Sequence, residues 1–146
     1  MATVELRFSA LPEHVRTARL VAAAVARRAG VDEAVLDEVR LAVGEACSRA
    51  VGLHRSVGLE SPVRVALIED EKAFSIEVGD DASAASGRVP GARDTETPAR
   101  AEAADADSDM GLAVISGLVD DVEVTADERG GLIRMSWPTT TAAVLP

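Results

Sequence analysis

The side chains able to do chemistry fall into three groups. Glu45 and Arg49 stand four residues apart in a stretch of helical periodicity, with glutamate on the N-terminal side, the better orientation for an i,i+4 ion pair. Asp80 closes an alternating apolar stretch, which puts its carboxylate at the end of a strand. Asp109-Met110-Gly111-Leu112 precedes a short apolar run and stands at a helix start. Taken alone, the Glu45–Arg49 spacing reads as a solvated salt bridge, worth about 0–1 kcal/mol. Metal and nucleophile chemistry finds little support, since there is no CxxC, no HExxH, no paired histidine spacing, no GxGxxG and no GxxxxGK. His14 and His54 each stand alone among polar residues and read as surface histidines. The single cysteine, Cys47, lies beside apolar Ala46 in the helical stretch and reads as a buried free thiol.

Positioning these groups falls to a few regular elements. The stretch from Asp32 to about Leu53 carries Val35, Val39, Ala42, Val43, Ala46 and Ala50 at spacings of three and four, so one face of this central helix must be covered by apolar partners. Asp32 is its expected N-cap. Before it, Val4, Leu6 and Phe8 alternate as a half-buried strand. Pro12 then opens a helix with a small-residue stripe at Val15, Ala18, Val21, Ala22 and Val25, which Gly30 stops. His54 to Pro62 reads as a loop. Val63, Val65 and Leu67, then Phe74, Ile76 and Val78, alternate on either side of a charged turn as an antiparallel hairpin. From Ala82 to about Asp109 the chain has almost no large apolar residue and reads as a mobile lid loop. A short helix from Gly111 to Leu118 and a hairpin through Val122, Val124, Ile133, Met135 and Trp137 complete the domain, with residues 139–146 as a frayed tail. The order strand, helix, helix, hairpin, lid, helix, hairpin predicts one α/β domain over residues 1–138. Its expected form is a two-layer sandwich, a mixed but mostly antiparallel sheet of about five strands with helices on one face.

Composition narrows the partners. At 146 residues the chain is long enough for one real core. A net charge of −10 repels phosphate backbones and anionic lipid, so neither nucleic acid nor membrane is expected, and a protein with a basic patch is favoured. One cysteine, no signal-like start and no run of 18 apolar residues fit a soluble cytoplasmic protein.

The segments LDEVRLAVGEACSRAV, SIEVGDDASA and DMGLAVISGLVDDVEV resemble, in order and spacing, the three ATP-site boxes of the anti-sigma-factor serine kinases within the histidine-kinase-type ATPases. The resemblance runs from Leu6 to Trp137 and implies a Bergerat α/β sandwich with ATP between the helices under a lid. By position, Glu45 matches the family's conserved acid, a candidate base for a partner's serine hydroxyl. Asp80 matches the aspartate that binds the adenine amino group. Gly111, with Leu112, falls in the phosphate-side box, where backbone N–H groups at a helix start can receive phosphate oxygens.

Four positions depart from the pattern. Arg49 replaces the asparagine that ligates Mg²⁺, and arginine has no acceptor to offer a cation. Ala82 and Ala84 replace glycines after the adenine aspartate, adding a Cβ where the backbone approaches the nucleotide. Asp109 replaces the first phosphate-side glycine and adds negative charge. The resemblance therefore implies a regulator that binds a sigma factor, an anti-sigma-factor antagonist, or both, with a degenerate, weak or absent ATP and Mg²⁺ site. Arg49 is expected to fill that site by pairing with Glu45. The rival reading is an active ATP-dependent serine kinase that phosphorylates the antagonist. A third is a sheet domain that only forms a homodimer. For the lid, fast amide exchange is expected across Ser86 to Asp107, and strong protection there would show a packed element instead.

Overall fold

The computed structural model describes residues 2–82 and 111–139. In chain order these form β1 (Ala2–Phe8), α1 (Pro12–Ala29), a single 3₁₀ turn (Glu33–Val35) and α2 (Leu36–Ser56). The hairpin β2 (Val63–Glu69) and β3 (Ala73–Asp80) follows, then α3 (residues 111–118), β4 (Asp121–Asp127) and β5 (Gly130–Pro138). The expected lid and tail lie outside the described residues, apart from their first residues, Ala82 and Thr139. Ala82 is only 2% exposed, so the chain is still packed where the loop was expected to begin.

The five strands make one sheet in the order β1-β2-β3-β5-β4. Every pairing is antiparallel, where a mixed but mostly antiparallel sheet was expected. The connection from β1 to β2 explains this: it contains two helices in succession, which carry the chain out and back, whereas a one-helix crossover would give parallel neighbours. Alternation then sorts the side chains. Val63, Val65 and Leu67 of β2, Phe74, Ile76 and Val78 of β3, and Ile133, Met135 and Trp137 of β5 are buried together with α1, α2 and α3. Glu5, Glu77, Arg134 and Glu123 share one row of the opposite face.

The helices are built as their spacing predicts. Pro12 stands at the start of α1, and the buried Ala18, Ala22 and Ala26 let it approach α2 closely. The central helix is divided at its start. Asp32 caps the 3₁₀ turn by accepting the Ala34 N–H at 3.0 Å, and the α-helix proper begins only at Leu36. Its buried stripe runs through Val39, Val43, Ala46, Cys47, Ala50 and Val51. Burial pushes the Cys47 thiol up to about 12, so it stays protonated and inert at neutral pH.

Gly44 sits within this stripe, and a Cβ there would come 2.7 Å from Cδ of Arg19, an exposed and flexible side chain. Glycine inside a helix costs about 1 kcal/mol relative to alanine, more than turning an exposed arginine aside. Gly44→Ala is therefore expected to raise the melting temperature by about one to two degrees. A fall would show that Arg19 cannot yield.

Candidate functional site

The strand alternation that buries Phe74, Ile76 and Val78 carries Asp80 to the same, helix-facing side of β3, where it is 2% exposed. Opposite it in the register is Gly131 of β5. Gly130, the first residue of β5, has φ 137°, and a Cβ on it would lie 1.9 Å from the Asp80 carbonyl oxygen. Only glycine fits both that dihedral and that approach. Along β3 and β5 the Asp80 end thus carries glycines, Gly79, Gly130 and Gly131, while the stacked rings of Phe74 and Trp137 fill the other end of β3.

On α2, Glu45 and Arg49 are both half-buried. Glu45 turns toward α3, and its Oε2 lies 3.7 Å from where a Cβ on Gly111 would stand. Two of the segments singled out in the sequence, 66 positions apart, are therefore brought together. The expected Glu45–Arg49 ion pair is not formed. The carboxylate lies beside the start of α3, and Arg49 is not without a partner. Gly111 is buried and Leu112 half-buried against the core. Ala84 and Asp109 lie outside the described residues. Among the described residues no group of three or more His, Cys, Asp or Glu is placed to hold a metal ion.

His54 corrects the reading of a surface histidine. It is 0% exposed, because α2 runs on through Ser56 and ends only where Gly58 takes φ 71°. The spacing 43, 47, 50, 54 continues the apolar stripe and was the signal for this burial. Its Nδ1 lies 3.0 Å from the Ser61 carbonyl oxygen, and the Asp81 backbone N–H donates to its Nε2 at 3.0 Å. His14 is half-buried against Phe8, with ring centroids 6.2 Å apart.

Arg64 of β2 was also not singled out in the sequence. Its Nη1 donates to the Asp81 carboxylate at 2.9 Å, and its guanidinium lies across Gly79, where a Cβ would come 3.1 Å from Nη2. Partial burial pushes the Asp81 carboxyl up, but the hydrogen bond and the charge of Arg64 outweigh it and hold the group below the ordinary carboxylate range.

With the geometry in place, the comparisons define the class. A family model described as a histidine kinase-like ATPase domain matches residues 8–137. The chain belongs to that family. A solved structure of the RsbU and RsbW domains of Rv1364c from Mycobacterium tuberculosis is similar, with a TM-score of 0.63 at 15% identity. The match covers 93% of this chain and 32% of that one, and at this identity it shows the shared fold. No curated protein matches the sequence significantly. Among the described residues no helix is long and apolar enough to cross a membrane.

The Arg64–Asp81 pair predicts an acid-dependent stability. A carboxylate with a lowered folded-state pKa stabilises the fold above its unfolded value, and that contribution is lost as pH falls through the folded value. Asp81→Asn is therefore expected to lower the urea midpoint at about pH 6, with the gap to wild type closing as pH drops below about 4. A gap that does not change with pH would show that the pair is unimportant.

Proposed function

We propose that the protein is an anti-sigma-factor-like regulator, acting in the cytoplasm, that binds a sigma factor, an anti-sigma-factor antagonist, or both, and whose nucleotide site is degenerate. Membership of the histidine kinase-like ATPase family and the fold shared with a structure containing an RsbW domain support the regulator class. Arg49 is the observation that carries the degenerate site. It lies one turn beyond Glu45 on α2, half-buried, with its Nε shut off from solvent. By resemblance this is the place of the asparagine that ligates Mg²⁺. A guanidinium has no lone pair for a cation and adds a charge that repels one.

Ala82 supports the same reading. A glycine after the adenine aspartate would leave the backbone open to a nucleotide, but here a side chain is packed into the core. Ala84 and Asp109 continue the pattern in sequence. The described residues do not fit a Mg²⁺ ion, so Glu45, although it reaches the start of α3, is assigned no catalytic step. Asp80, Gly111 and Leu112 remain the residues that would touch a nucleotide. The net charge of −10 favours partners that present a basic patch.

Calorimetric titration with ATP, with and without Mg²⁺, tests the site, and pull-down of candidate sigma factors and antagonists in nucleotide-depleted buffer tests the partners. Partner capture without ATP is expected. Tight MgATP binding is expected neither for the wild type nor for Arg49→Asn, because the other altered positions remain. Micromolar MgATP binding by the wild type, with Glu45-dependent phosphorylation of an antagonist serine, would make the protein a working kinase and overturn the reading.

A further inference from the structure

The buried imidazole of His54 bonds to two backbone groups of opposite kind. A carbonyl oxygen can only accept and a backbone N–H can only donate, so the contacts with Ser61 and Asp81 require a proton on Nδ1 and a lone pair on Nε2. The ring is thereby fixed as the neutral Nδ1–H tautomer.

The sequence explains why a side chain is needed there. The β2–β3 register runs to Arg64↔Gly79, and two steps further on it would set Pro62 opposite Asp81. Proline has no N–H, so the ladder cannot continue in full. Ser61, two residues before β2 begins, and Asp81, one residue past the end of β3, are joined through the imidazole instead. A buried ring with either nitrogen unpaired would be costly, so the two bonds also account for a histidine inside an apolar stripe.

The peptide unit that receives this bond is the one between Asp80 and Asp81. Its N–H is held by His54, and its carbonyl oxygen packs against the α-carbon of Gly130. Both ends of one rigid plane are thus fixed, which sets ψ of Asp80 and the direction in which the carboxylate leaves the strand. Arg64 holds the next side chain, Asp81, from β2.

We propose that His54 is a positioning residue whose Nδ1–H imidazole ties the Asp80–Asp81 corner to the C-terminal end of α2 and so orients Asp80. That this corner serves a nucleotide rests on the reading of Asp80 given above; the tie itself does not. Long-range ¹H–¹⁵N spectra of the full chain labelled at histidine are expected to show His54 protonated on Nδ1 and bare on Nε2. In His54→Leu, amide exchange of Asp81 is expected to rise about five- to tenfold, the size of one lost hydrogen bond, while the amides paired within β2 and β3 hold their protection. His54→Gln, whose side-chain carbonyl can still accept from the Asp81 N–H, is expected to restore most of it. An Nε2–H tautomer, or unchanged Asp81 protection in His54→Leu, would overturn the proposal. Should the leucine variant fail to fold, the tautomer and the glutamine variant decide, and glutamine exchange as fast as that of an open amide would count against the tie. Titration with ATP separates the two readings: a protein that passes these tests and binds no ATP keeps the tie and loses the nucleotide role of Asp80.

Discussion

The structure depends on the packing of the α2 stripe against the buried face of β3. Val39, Val43, Ala46 and Ala50 face a strand whose Phe74, Ile76 and Val78 are closed off from water. Fully burying a side chain of this kind contributes about 1.5–3 kcal/mol, so the register of β3 is firmly specified. A slip by one residue would turn all three outward. The same constraint fixes Asp80, since a period of two carries it inward with them. A carboxylate in that position has no choice of face.

Small residues make the site end of the molecule possible. Alanine along α1 and α2 brings the helices close, and the glycines at 79, 130 and 131 let an arginine, a carbonyl and a turn crowd around the last residues of β3. The rings of Phe74 and Trp137 are kept at the far end of β3 and β5. Three polar side chains of one helix then meet different fates according to their angle and height. Glu45 reaches α3, Arg49 is half-enclosed, and His54 is wholly buried in hydrogen bonds to the backbone.

Charge follows the same division. The sheet's outer face carries interleaved acids and arginines in water, where each pair is screened and weak. Arg64 and Asp81 meet at the edge of that face, against the end of β3, and there the pair is sheltered enough to hold the carboxyl below its ordinary range.

By itself the sequence determined the strands, whose period of two is visible in residues 63–67, 74–78 and 133–137, and the helices, whose spacing of three and four marks their buried stripes. It also marked Glu45 beside a helical stripe and Asp80 and Gly111 at element ends, and the resemblance to the ATP-site boxes made them one site. Tertiary structure alone decided which of them meet. The approach of Glu45 to α3 depends on where another helix begins, 66 positions away, which no local spacing encodes. The same holds for His54. Its polar neighbours in sequence suggested solvent, but α2 outlasted the expected boundary by one turn, and a ladder that ends short of Pro62 left two backbone groups for the buried imidazole to join.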